Sequence, residues 1–240
     1  MNLLIDIGNT LCKWALADEH GIVEKGFTVI FNECYIESLL AKGKQFDTVV
    51  ICSVRTLSER LEEYLSARFK YVRVAHTLDL PLKINYATPE TLGMDRVVAA
   101  VGANALYQNV PLLIIDAGTA ITIDYVSASG EFLGGNIAPG IRLRYQSLHD
   151  YTDKLPLVNA QPNFEPIGKN TESAIRAGVQ QGVINELQGY IRSAQKQFPS
   201  LHVVLTGGDA QLLSDKLTEN LTVESELIFI GLQQVALSLC

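Results

Sequence analysis

The segments NLLIDIGNT (2–10) and LLIIDAGT (112–119) are one figure written twice: a short apolar run, an aspartate, any residue, a glycine and a polar turn. Asp6 to Asp116 and Gly8 to Gly118 share a single offset of 110 residues. Each run has the length of a buried strand, and each leads into a second strand-like stretch, 12–17 and 121–126. Two strand–Asp-x-Gly–strand hairpins at one spacing point to two copies of one lobe. For either hairpin alone, an ordinary Asp–Gly turn is an equally good reading.

The remaining pattern alternates strands and helices. Residues 48–54 read as a short apolar strand and 71–75 as another. A helix is expected from Thr56, with Glu59 completing a capping box and Leu57, Leu61, Tyr64 and Leu65 on one face. Further helices are expected over 95–107, opening at Asp95, and over 171–198, where Ile175, Val179, Val183 and Leu187 recur at helical spacing. A strand at 201–205 is followed by TGGDA (206–210) and a helix at 210–217, and the last helix covers 231–239. Pro111 opens the second lobe's first strand, so the lobes are expected to be 1–110 and 111–240, packed together with no low-complexity linker. The expected class is α/β, a mixed sheet with helices in each lobe.

These turns suit a nucleotide. Glycine lets backbone approach phosphates, a following Asn or Thr offers donors, and the aspartate faces Mg²⁺ or its waters. Lys13 lies close enough in sequence to offset phosphate charge. TGGDA, between a strand and a helix, is a third candidate turn. Neither a GxxxxGK[ST] loop nor a dinucleotide GxGxxG occurs, so those nucleotide folds lose ground.

Three such turns resemble the actin, Hsp70 and sugar-kinase superfamily, of actin-like or ribonuclease H-like architecture with a cleft between lobes. YATPETLGMDR (86–96), GGNIAPG (134–140) and NTE (170–172), in order with IDIGNT, IDAGTAITID and TGGDA, resemble the type III pantothenate kinases from Asn2 to about Ala210. The resemblance implies ATP contacts at Asp6, Ile7, Gly8, Asn9, Thr10, Leu11, Cys12, Lys13 and Thr119. It implies a pantothenate site at Tyr86, Gly93, Met94, Asp95, Arg96 and Thr171, with Asp95 as general base. It further implies Mg²⁺ held through water at Asp6, K⁺ or NH₄⁺ at Asp116, and a homodimer, and it leaves open whether Thr171 serves its own protomer or acts across the interface. Ala120-Ile121 replaces a more usual Ala-Thr.

Some of these roles also follow from chemistry. Phosphoryl transfer to an alcohol needs a positioned carboxylate to take the hydroxyl proton, and Arg96 can grip a substrate carboxylate through two parallel hydrogen bonds. Against this, Asp95 and Asn170-Thr171 also read as plain helix caps. GGNIAPG reads either as a turn or as a rigid loop lining the acceptor site. A non-catalytic nucleotide-binding regulator and a kinase of another small acid or sugar are the competing readings, and an intact Asp6, Asp95 and Arg96 favours the enzyme.

Composition narrows the partners. A net charge of −7 with no obvious basic patch argues against nucleic acid. The apolar runs near 49–54 and 110–115 are too short for a bilayer, and no targeting peptide is visible, so a cytoplasmic protein is expected. Cys12, Cys34, Cys52 and Cys240 form no CxxC pair and read as reduced thiols. His20, His76, His149 and His202 belong to no motif.

Overall fold

A computed structural model describes residues 1–239 of the chain. It divides into two compact units. The first comprises Met1–Gln108, Gly130–Leu133 and the stretch from Glu226 onward; the second comprises Asn109–Ser129 and Gly134–Ser225.

In the first unit a five-stranded mixed sheet has the order β3 (Gly21–Thr28), β2 (Cys12–Asp18), β1 (Asn2–Ile7), β4 (Thr48–Ser53), β5 (Lys70–Arg73). The β1–β2 and β2–β3 pairs are antiparallel, whereas β4 runs parallel to both β1 and β5. Alternation along β1 sorts its side chains onto two faces. Leu3, Ile5 and Ile7 join Trp14, Val49 and Ile51 in a core with Ile36 and Leu39 of α1 (Glu33–Ala41) and Leu61 and Leu65 of α2 (Glu59–Arg68). Asn2, Leu4 and Asp6 face the other way, where α3 (Met94–Leu106) and α7 (Leu227–Ser238) pack on the sheet. These two helices cross at glycine. A side chain on Gly102 would strike the Leu227 carbonyl, and one on Gly231 would strike the Val98 carbonyl.

In the second unit the sheet has the order β11 (Thr222–Val223), β10 (His202–Thr206), β7 (Leu112–Ala117), β8 (Ala120–Val126), β9 (Glu131–Pro139). The β7–β8 pair is antiparallel and β10 runs parallel to β7. Leu113, Ile115, Ile121 and Ile123 pack against Val179, Val183 and Leu187 of α5 (Thr171–Gln197) and Tyr145 of α4 (Ile141–Asp150). Strand β9 starts inside the first unit, where Glu131 and Phe132 pair with β6 (Lys83–Ile84). The two mixed α/β sheets, each opening on an Asp-x-Gly hairpin, match the expected class.

Several local expectations are corrected. Helix α2 starts at Glu59, not at Thr56: Ser58 is the cap and its hydroxyl accepts from the Leu61 amide at 3.3 Å. A serine in the extended conformation supplies what the Thr56–Glu59 box was expected to supply. Helix α3 opens at Met94 with Gly93 as its cap, so Asp95 is a first-turn residue and not the cap. GGNIAPG is neither turn nor loop, because 134–139 continue β9. The last helix begins at Leu227, four residues before the glycine expected to open it. Asn170 and Ser173 close a reciprocal capping box ahead of Thr171. Among the described residues no helix is long and apolar enough to cross a membrane. Cys12, Cys34 and Cys52 are free thiols, and Cys240 lies outside the described residues.

Candidate active site

The first hairpin turns over residues 8–11, closed by the Ile7–Cys12 pair and a Gly8 N–H donating to the Leu11 carbonyl at 3.0 Å. Asp6 is in register with Lys13 on β2 and with Cys52 on β4, and paired residues share a face. The row Lys13–Asp6–Cys52 therefore lies on the α3 face of the sheet. Ile7 and Cys12 point into the opposite core, so only their backbone is available to a ligand. Asn9 and Thr10 are exposed.

Asp6 is the most perturbed acid of this unit. Burial pushes its pKa up to about 6; the Lys13 charge pulls it down, and the Asp95 charge raises it further. The two carboxylates are thus electrostatic neighbours, although they lie 89 positions apart in the chain. Cys52, buried beside both, is held well above the ordinary thiol range by burial and by the two negative charges. Cys12 rises to about 12, chiefly by burial, so both thiols stay protonated and inert.

Asp95 sits on the first turn of α3, where Oδ1 accepts the Arg96 amide at 2.9 Å. No protein donor bonds Oδ2 among the described residues. A β-carbon on Gly93 would lie 2.5 Å from Asp95 Oδ1, so any side chain there displaces that carboxylate. Arg96 is 6% exposed, and its guanidinium lies over the Phe132 ring, 5.8 Å from the centroid. Tyr86, just after β6, meets the same ring edge-on at 6.2 Å. GMDR and the upstream tyrosine are thereby brought together around a phenylalanine that no motif contains.

In the second unit the hairpin is one residue shorter, with 118–120 inside the Ala117–Ile121 pair and Gly118 N–H donating to the Ala120 carbonyl at 3.0 Å. Asp116 is in register with Thr122 and Thr206. Two other motifs converge on this turn. Gly140 N–H donates to the Thr119 carbonyl at 3.0 Å, and Asp209 N–H donates to the Ala117 carbonyl at 2.9 Å. Gly207 has φ +96°, and a β-carbon on it would fall on Asp116 Oδ1. The TGGDA turn can lie against the aspartate only because residue 207 is glycine. Asp209, half-buried, has its pKa raised by desolvation and lowered in part by Arg142. Thr171 is exposed on the first turn of α5.

A model of the type III pantothenate kinase family matches residues 2–193. The chain belongs to that family. It is 40% identical over 236 residues to the type III pantothenate kinase of Phocaeicola vulgatus, covering 98% of this chain and 97% of the relative. It is 37% identical to the one from Christiangramia forsetii, with 97% and 96% covered. Among solved structures it resembles a putative Baf family transcriptional activator from Campylobacter jejuni, with TM-score 0.64, 23% identity and 98% of each chain covered. It resembles equally a putative 2-dehydro-3-deoxygalactonokinase from Sinorhizobium meliloti, with TM-score 0.64, 10% identity and 100% and 99% covered. At these identities the likeness concerns the fold alone.

The residues present would suit a divalent and a monovalent cation. Asp6 is a partly buried carboxylate with no hydrogen-bond donor among the described residues, which fits a carboxylate facing a hydrated divalent cation. No group of three or more His, Cys, Asp or Glu side chains gathers among the described residues. Mg²⁺ here would be held by one carboxylate, water and phosphates. Around Asp116, one carboxylate with threonine hydroxyls in register on both sides is a hard oxygen donor set suited to K⁺ or NH₄⁺.

Proposed function

We infer that this chain carries out its family's reaction, transfer of the terminal phosphate of ATP to the hydroxyl of pantothenate, the first step of coenzyme A synthesis, with Asp95 as general base. The observation that supports this most is the grouping of Asp95, Asp6 and Lys13 at one end of the first unit. Asp95 has one oxygen fixed by the Arg96 amide and the other unbonded by protein, as a base must before substrate arrives. When the hydroxyl attacks, Asp95 Oδ2 takes its proton.

Lys13 and the backbone of the exposed Asn9 and Thr10 bind phosphate oxygens, and Asp6 would hold the water shell of a bound Mg²⁺. Bound there, the ion would supply charge neutralisation to the transferring phosphoryl group. Arg96 grips the pantothenate carboxylate, with Tyr86, Gly93 and Met94 lining the same end of the molecule. In the second unit Thr119 contacts ATP and Asp116 binds the monovalent cation. The working form is a homodimer, and Thr171 contacts the pantothenate.

One assay tests the reading. Purified protein with ATP, Mg²⁺ and K⁺ is followed for ADP release with pantothenate and with a panel of sugars. Release that depends on pantothenate alone is the expected result; release with a sugar and not with pantothenate overturns it.

A further inference from the structure

Phe132 lies outside every motif, yet it is fully buried and touches two of the residues assigned to the acceptor. Its place is fixed by backbone. Ile84 and Phe132 are register partners in the parallel β6–β9 pair, and the Asn85 amide donates to the Phe132 carbonyl at 3.0 Å. A Lys83–Glu131 ion pair at 2.9 Å adds a side-chain tie one residue earlier. A ring held this firmly is a reference surface for whatever rests on it.

Two groups rest on it. The Arg96 guanidinium lies over its face at 5.8 Å, within the range at which the ring quadrupole attracts a cation. Tyr86 meets it in an edge arrangement, with centroids 6.2 Å apart and planes at 63°. Arg96 rises from α3 and Tyr86 follows β6, so the two come from different elements with Phe132 between them. A guanidinium that must offer two parallel N–H groups to a carboxylate needs its plane oriented, and an aromatic face beneath it is one surface that orients it.

We propose that Phe132 is the positioning residue of the acceptor subsite, orienting Arg96 through its ring face and Tyr86 through a ring–ring contact, so that an acidic substrate is met by a prearranged pair. This rests on the assignment of Arg96 and Tyr86 to pantothenate. Phe132 touches no reacting atom, so its effect should fall on binding of the acid and not on chemistry or on ATP.

The test is a steady-state comparison on the full-length protein. Phe132→Leu keeps an apolar filling but removes the ring. Because that variant can also loosen the core, a second carries a trifluorinated phenylalanine at position 132, which keeps ring and shape while weakening the face toward cations. For both, the pantothenate KM is expected to rise about 5- to 20-fold, as for losing a desolvated cation–π contact, while kcat and the ATP KM stay within about twofold. A folded fluorinated variant with an unchanged pantothenate KM, or with both KM values raised alike, overturns the proposal. Arg96→Lys in the same assay separates the two levels. If it raises the pantothenate KM and the fluorinated ring does not, Phe132 falls alone. If Arg96→Lys also changes nothing, the acceptor assignment falls and Phe132 falls with it.

Discussion

At the scale of single residues, the carboxylates of the first unit do different work for reasons visible in their surroundings. Asp95 has one oxygen bonded and one open, whereas Asp6 is desolvated and faces Lys13. Asp95→Asn keeps the size and the Oδ1 bond but removes the base. kcat should fall about 10²- to 10⁴-fold with the ATP KM little changed, as read by steady-state kinetics on a variant shown folded by circular dichroism. More than half of the wild-type kcat would rule the role out. Asp6 makes a second, less intuitive prediction. Its folded pKa lies near 6 against an ordinary 3.8, so the folded state favours the protonated form. Its contribution is therefore favourable below about pH 4 and is lost as pH rises through about 6. Above that, the ionised group costs stability, by up to about 3 kcal/mol for a shift of this size. Asp6→Asn should then raise the Tm of ligand-free protein at pH 8 and barely change it at pH 4, while sharply reducing turnover. A variant less stable than wild type at pH 8 would show that the buried charge is compensated.

At the scale of elements, glycines decide how near one piece comes to another, and this is where a linear reading succeeds or fails. Strands β1, β2, β7 and β8 are legible because apolar runs bounded by Asp-x-Gly have few alternatives, and α5 is legible because its apolar spacing persists over 27 residues. Strand β9 is not, since its paired glycines mimic a turn: Gly134 has φ +109°, and a side chain on Gly135 would strike the Ile123 carbonyl. The start of α7 is hidden similarly. Gly231 reads as a helix boundary, but it lies inside the helix because Val98 of α3 leaves no room for a side chain. The Gly231–Val98 contact joins residues more than a hundred positions apart, which no local pattern encodes. Phe132 is invisible for the same reason, since nothing near it in sequence names its neighbours. Gly93 is legible as part of a motif, but its reason is steric. Gly93→Ala should push the Asp95 carboxylate aside and lower kcat/KM by about 10²-fold, the scale of loss that a 1 Å misplacement carries, with Tm nearly unchanged. A Gly93→Ala enzyme with wild-type kinetics would mean that Asp95 has slack.

At the scale of the whole molecule, the chain is one hairpin design used twice and altered once. In the first unit the row through the aspartate reads Lys13–Asp6–Cys52; in the second it reads Thr122–Asp116–Thr206. The offset of 110 pairs Lys13 with Ile123, but the second turn is one residue shorter, so the residue facing Asp116 is Thr122. The first row thus carries its own monovalent cation, a lysine ammonium. The second sets a threonine on either side of the carboxylate, where the first sets a lysine and a cysteine. A carboxylate flanked by neutral hydroxyl oxygens suits a large, weakly hydrated cation taken from solution. Activity should accordingly be low in Na⁺ buffer and rise when K⁺ or NH₄⁺ replaces it at constant ionic strength. Removing one oxygen should weaken the site without abolishing it. For Thr206→Val the K⁺ concentration giving half-maximal rate should rise about tenfold, the size expected when a charged partner loses one polar contact, with kcat recovered at high K⁺. Lys13 lies in the other row, so a Lys13→Met enzyme should bind ATP less tightly yet keep the wild-type K⁺ midpoint. Equal rates in Na⁺ and K⁺ for the wild type would remove the ion from Asp116, and a K⁺ midpoint that moves with Lys13 but not with Thr206 would assign it to the first hairpin.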